Sequence, residues 1–183
     1  GVNWTPTTVN TNASIVSMGV TGNSVYLTTS AGRYYISPDN GLTWNLVQNL
    51  LTNSFANHVY FSNGKIIMST GQGLYESLNS GATWQPNNSG ITGLQITSFG
   101  ANSNYVFAGT DNQGVFRSSD DGLNWEPINV GINTLNSFHV SRIINVNEDI
   151  YLGTGNGVYK STNNGNSWDF IFNPGLNIST HAL

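Results

Sequence analysis

The chain has 183 residues, no cysteine, 8% charged residues and a formal net charge of −4. A soluble domain ordinarily carries about 25% charged residues, so catalysis here would have to draw on nine carboxylates, five lysines and arginines, and three histidines. Disulfides, thiolate metal sites and cysteine nucleophiles are excluded, and no cofactor or metal is expected. The five cations, Arg33, Lys65, Arg117, Arg142 and Lys160, are scattered, which disfavours phosphate-tracking nucleic-acid binding. With 38% hydrophobic and 11% aromatic residues, the chain can bury a core and lacks the composition of a disordered segment. No apolar run approaches the roughly 18 residues of a membrane-spanning helix, so no membrane insertion is expected, and an export signal would lie outside this stretch. The 28 asparagines, with abundant Thr, Ser and Gly in place of Lys and Glu, lean towards an exported, extracellular or cell-surface protein.

Taken in chain order, tryptophans recur at positions 4, 44, 84, 125 and 168. Around the last four lies one phrase: Ser37-Pro-Asp39-Asn-Gly41-Leu-Thr-Trp44, Ser77-Leu-Asn79-Ser-Gly81-Ala-Thr-Trp84, Ser118-Ser-Asp120-Asp-Gly122-Leu-Asn-Trp125 and Ser161-Thr-Asn163-Asn-Gly165-Asn-Ser-Trp168. The opening Gly1-Val-Asn-Trp4 reads as the tail of a further copy. Ahead of each phrase come three β-rich runs. The first is the looser one, at 14–20, 55–61, 96–100 and 138–146; the second lies at 24–29, 65–70, 105–110 and 150–154; the third, at 33–36, 73–76, 114–117 and 157–160, follows a tight turn. Helical periodicity is almost missing. Four short strands in a repeat of about 40 residues predict an all-β fold, a β-propeller of four-stranded antiparallel blades. The expected division is an outer strand at 1–8, blades at 9–48, 49–89, 90–130 and 131–174, and the start of an inner strand at 175–183. The middle strands of a fifth blade are missing between those ends, so the expectation is a segment of a larger propeller. The remaining blades would come from the same chain or a partner chain; a four-blade closure or an assembly of several chains is the alternative.

The phrase reads as the hairpin turn between the third and fourth strands. Its Asp or Asn can accept bonds from loop amides, its glycine supplies a left-handed backbone position, and its serine can brace the loop. The tryptophans are expected to open the fourth strands as packing residues. On these residues the sequence resembles the Asp-box, or bacterial neuraminidase repeat, propellers, whose phrase is Ser-x-Asp-x-Gly-x-Thr-Trp; sialidase-like and xyloglucanase-like enzymes are among them, beside a photosystem assembly factor. The resemblance implies a fold, with the boxes lying away from the ligand face.

Propeller ligands sit on the face made by the loops between second and third strands and by the connections between blades. That face is expected to hold Arg33, Gln72, Asp111, Gln113 and Asn156. His139 and His58 are expected on innermost strands, and Arg142 on a groove or exposed surface. A two-carboxylate glycosidase needs its acid and base within about 5–9.5 Å of each other across the sugar, yet of the carboxylates only Asp111 falls in a ligand-face loop. The Phe/Tyr-Arg-Ile-Pro motif of sialidases is missing, and Arg117 adjoins a box rather than the ligand face. Histidines are not spaced as metal ligands, and each box offers too few oxygens for calcium. The reading is therefore a non-catalytic carbohydrate- or protein-binding or scaffold module. A segment of a glycoside hydrolase whose catalytic residues lie mostly elsewhere is the alternative.

Overall fold

In the computed structural model, described over residues 9, 12–47, 56–62, 65–132 and 138–172, the chain is all-β and no α-helix occurs among the described residues. Four antiparallel four-stranded sheets follow one another, each with its strands in sequence order. Sheet one holds β1 (Ile15–Thr21), β2 (Ser24–Thr29), β3 (Tyr34–Ser37) and β4 (Asn45–Val47), and sheet two holds β5 (Ala56–Ser62), β6 (Lys65–Thr70), β7 (Gly73–Ser77) and β8 (Gln85–Pro86). Sheet three holds β9 (Ile96–Ala101), β10 (Val106–Thr110), β11 (Val115–Ser118) and β12 (Glu126–Pro127), and sheet four holds β13 (Val140–Val146), β14 (Asp149–Thr154), β15 (Gly157–Ser161) and β16 (Asp169–Phe172). These are the four expected blades. The outer strand expected at 1–8, the inner strand at 175–183 and the connections at 48–55 and 133–137 lie outside the described residues, as does His181.

The second strands are nearly continuous apolar runs because both of their faces are covered: Ile66, Ile67 and Met68 are at most 2% exposed. Lys65, which opens that run, is neutralised by Glu76 at 2.8 Å. The chain forms two compact units, Gly1–Gly71 with Glu76–Gln85, and Gln72–Tyr75 with Pro86–Leu183. In the first unit Tyr26, Tyr34, Val59, Ile66 and Met68 form the core. Phe61 packs on Tyr26 with ring centres 4.6 Å apart, in space left by Gly19, where an added Cβ would lie 2.0 Å from the Phe61 ring. In the second unit Phe107, Val115, Val140, Ile143, Ile150, Leu152, Tyr159 and Trp168 cluster with Ile128 and Ile132. At matching positions of the third strands, Tyr35 and Tyr159 are buried and Tyr75 is half-buried.

Every turn phrase is closed by its serine. Ser37, Ser77, Ser118 and Ser161 are each at most 1% exposed. Each hydroxyl donates to the side-chain oxygen two residues on, at 2.8–3.0 Å, and accepts the N–H of the phrase glycine at 2.8 Å. Two consecutive residues are left-handed, not the glycine alone: Asn40, Ser80, Asp121 and Asn164 have φ of 55–59°, and the glycines after them 81–89°. The tryptophans stand one residue ahead of the fourth strands instead of opening them. Trp125 and Trp168 are buried at 5% and 3%, and their indole N–H groups donate to Gly122 O and Ile128 O.

The alternation of Asp and Asn at the third position has a hydrogen-bond logic. Asp39 and Asp120 are acceptors, and the seventh residue supplies a donor, Thr43 Oγ1 at 2.6 Å and Asn124 Nδ2 at 2.7 Å. Asn79 and Asn163 instead donate from Nδ2 to the hydroxyls of Thr83 and Ser167. The same ring of bonds closes with either polarity.

The Thr43 hydroxyl and amide, with Ser37, hold the Asp39 carboxyl below the usual carboxylate range. For Asp120 partial burial works the other way and is outweighed by the bonds from Asn124 and Ser118. Both carboxyls therefore bind protons less readily when folded than unfolded, so their contribution is complete above the ordinary carboxylate value near 4 and fades as pH falls below it. Asp39→Asn, which can bond Thr43 as Asn79 bonds Thr83, is expected to flatten the acid limb of urea-unfolding midpoints measured against pH. Ser161→Ala leaves the buried Gly165 N–H without its acceptor and is expected to cost about 1–3 kcal/mol in urea unfolding.

Candidate functional site

The loop between β10 and β11, residues 111–114, is held at both ends by one threonine. Thr110 N and Oγ1 both donate to Gly114 O, at 2.9 and 2.8 Å, while Thr110 Oγ1 accepts from Gln113 N at 2.9 Å. Threonines recur at the ends of β2, β6, β10 and β14, all at most 1% exposed. Thr29 and Thr154 make the corresponding bonds to Arg33 O and Gly157 O.

Asn129 forms the outer clamp. Its Oδ1 accepts from Val115 N at 2.9 Å and its Nδ2 donates to Gln113 O at 3.0 Å. Gly114, at φ 78°, makes room for it: a Cβ there would lie 2.1 Å from Asn129 Oδ1. Asn88 holds Leu74 N in the same way. Sequence reasoning missed this clamp, although Trp84-Gln-Pro-Asn-Asn88-Ser-Gly90-Ile91 and Trp125-Glu-Pro-Ile-Asn129-Val-Gly131-Ile132 repeat it plainly. The connection was read only as part of the ligand face. Its glycines instead lie against the next turn phrase, where a Cβ at Gly90 or Gly131 would fall 2.0 or 2.2 Å from the carbonyl oxygen of Trp125 or Trp168.

On this rigid base the structure brings together two residues that the sequence left apart. Asp111 Oδ1 lies 2.7 Å from His139 Nδ1. His139 does not lie within an inner strand but precedes β13 by one residue. Its position is fixed by neighbours: Gly114 N donates to Phe138 O at 2.9 Å, Asp111 N donates to Gln95 O at 3.0 Å, and Thr97 Oγ1 donates to Val140 O. A carboxylate oxygen facing an imidazole nitrogen calls for the proton on Nδ1, which leaves Nε2 as the ring's second nitrogen. The side chains are 47% and 41% exposed, so the pair is both ordered and reachable.

The other candidates are placed as follows. Gln113 shares the Asp111 loop and is exposed; Gln72 is exposed in the β6–β7 turn, and Asn156 is half-buried in the β14–β15 turn. Arg33 is exposed beside β3 in the first unit. Arg142 is an exposed residue of β13. His58 lies in β5, its backbone N–H donating to Ser69 Oγ at 3.0 Å.

Most remaining carboxylates have structural partners. Glu126 pairs with Arg117 at 2.5 Å, Asp149 with Lys160 at 2.7 Å, and Glu148 accepts from Ser103 at 3.1 Å. Arg117 also donates to Asn164 O and Asn166 Oδ1 in the following turn phrase and lies over the Tyr105 ring. It is a brace, as its place beside a box suggested. Among the described residues no group of three His, Asp or Glu could hold a metal.

No family model and no curated protein matches the chain. Solved structures do. An ancestral GH74 enzyme superposes with a TM-score of 0.72 at 24% identity, covering 92% of this chain and 25% of its own. YCF48 bound to D1 peptide gives 0.69 at 16%, covering 95% and 58%. The extracellular domain of the one-component system BT4673 from B. thetaiotaomicron gives 0.69 at 17%, covering 91% and 23%. The fold is that of a β-propeller built of four-stranded antiparallel blades. This chain spans between about a quarter and three fifths of the length of those structures.

The tautomer tests the geometry of the pair. Nitrogen-detected NMR of the imidazole is expected to show His139 enriched in the Nδ1–H form, and Asp111→Ala is expected to return it to the Nε2–H form usual in water. An unchanged tautomer ratio would mean that the pair does not persist in solution.

Proposed function

We propose that the chain is a non-catalytic Asp-box propeller module of an exported protein, and that it recognises a neutral, hydroxyl-rich ligand, a glycan, through the loop face that carries Asp111 and His139. One observation carries this reading. In the second unit the loops at 72, 87–95, 111–114, 128–132, 138–139 and 155–156 are built almost wholly of Asn, Gln, Ser, Thr, Gly and apolar residues, with one carboxylate, one imidazole and no Lys or Arg. Amides, a carboxylate and an imidazole suit sugar hydroxyls, which both donate and accept. The lack of cations disfavours an anionic ligand, which would call for charge-assisted donors. Support for export comes from the Asn-, Thr- and Ser-rich composition and from the likeness to an extracellular domain.

The second reading, a segment of a glycoside hydrolase, is favoured by the likeness to GH74 enzymes. Against it stands the single carboxylate of these loops, because acid and base must both flank the scissile bond. His139 could orient water but supplies no second carboxylate.

A glycan array followed by titration calorimetry, run beside hydrolysis assays on the same glycans, separates the two. The expected outcome is binding without turnover. Asp111→Ala and His139→Ala should each weaken it roughly ten- to hundredfold, the loss of a hydrogen bond involving a charged or strongly polar group. Turnover abolished by Asp111→Ala would establish the enzymatic reading. Binding to peptides and to no glycan would establish protein recognition.

A further inference from the structure

Donors and acceptors are unevenly divided on the loop face of the second unit. Asp111 and His139 stand on separate segments, the β10–β11 loop and the entry to β13, and both segments are fixed through the main chain: Asp111 N donates to Gln95 O, and Gly114 N donates to Phe138 O beside His139. Three primary amides share these surroundings. Asn112 and Gln113 follow Asp111 in its loop, Gln95 is the residue whose carbonyl receives the Asp111 N–H, and all three are exposed.

The pair and the amides differ in what they offer. Asp111 turns Oδ1 to His139, and its Oδ2 has no partner among the described residues. With the proton of the pair on Nδ1, a neutral imidazole keeps a lone pair on Nε2, and that nitrogen too has no partner among the described residues. The open edge of the pair therefore presents two acceptors and no donor. The amides of Gln95, Asn112 and Gln113 supply the complement, since each carries two N–H donors beside its acceptor oxygen. No side-chain bond engages these three amides among the described residues.

We infer that Asp111 and His139 set the specificity of this face: they select a sugar ring that turns two free hydroxyls to them as donors, one to Asp111 Oδ2 and one to His139 Nε2. The inference rests on the glycan reading proposed above and narrows it. A hydroxyl that donates to one of these acceptors still offers its own oxygen to a neighbouring amide N–H. An ammonium or guanidinium group can donate twice as well, but it has no acceptor and leaves the amide N–H groups to water. An ether or ester oxygen only accepts, so against Oδ2 or Nε2 it sets two acceptors face to face. A site built to receive a hydroxyl rejects the analogue that lacks it strongly, because its own polar group is left unpaired.

Chemical-shift titration of the labelled chain at about pH 8, above the ordinary imidazole range, tests this selection. The probes are methyl β-D-glucopyranoside, methyl α-D-mannopyranoside and methyl β-D-galactopyranoside, each with its derivatives O-methylated at one hydroxyl at a time. At least one parent sugar is expected to shift residues 111–114 and 138–139, and methylation at two of its hydroxyls should weaken binding roughly tenfold or more, with little effect elsewhere on the ring. Asp111→Asn, whose Oδ1 can still accept from His139 while an amide donor replaces Oδ2, should remove the discrimination against one of these ethers. His139→Phe should remove it against the other, with the shifts of the turn phrases unchanged. Sugars that bind at these residues without two sensitive hydroxyls, or variants that weaken parents and ethers by one common factor, would overturn the inference and leave the glycan reading standing. If none of the three sugars shifts these residues, the inference falls, and the glycan array decides whether the reading falls with it.

Discussion

Each blade depends on one buried hydroxyl. The serine of the turn phrase reaches both the acidic or amide residue two positions on and the glycine N–H four positions on. That glycine follows a second left-handed residue. Two successive left-handed residues turn the backbone N–H groups inward, where water does not reach them, and an unpaired buried N–H is costly. The serine removes that cost at the point where the third strand must reverse into the fourth. It also fixes the tryptophan that follows, whose indole N–H bonds a backbone carbonyl and whose ring joins the core.

From this turn the stacking of blades follows. Two of the phrase glycines lie against the neighbouring blade, Gly165 beside Ile128 and Gly81 beside Tyr34, while Gly41 has only Trp44 of its own phrase nearby. The connections after β8 and β12 pass beneath the next phrase, with Ser89 O and Val130 O accepting from Trp125 and Trp168 N–H. Arg117 ties third strand, fourth strand and following phrase together. The loops that carry Asp111 and His139 are thus attached to a frame whose hydrogen bonds are nearly all internal. Two exposed side chains can then hold one relative geometry without mutual burial.

The sequence made the strands, their order and the turn phrase readable because these are local and periodic: a glycine, an Asx residue and a tryptophan recur at fixed offsets. The fourth phrase position was harder to see, since Asn, Ser, Asp and Asn share no obvious side-chain role; their common property is a tolerance for positive φ, strongest in Asn and Asp. The Asn88 and Asn129 clamp was legible as Trp-x-Pro-x-Asn-x-Gly-Ile but recurs only in two copies. The Asp111–His139 pair was not legible at all. Each residue was a candidate by itself, but 28 positions separate them, and their meeting depends on how one blade's loop abuts the entry to the next blade.

In chemical terms the loop face is poor in proton donors and acceptors of the strength that bond cleavage needs, and rich in groups that exchange hydrogen bonds with hydroxyls. Its one ordered ionisable pair is placed by backbone bonds rather than by burial, which suits recognition of a polar ligand at a wet surface. The most direct measurement is a titration of the isotopically labelled chain with a bound glycan, followed by amide and imidazole chemical shifts. The account predicts shifts concentrated at residues 111–114 and 138–139, with the four turn phrases unmoved and the glycan recovered intact. Shifts centred on the turn phrases, or a cleaved glycan, would contradict it.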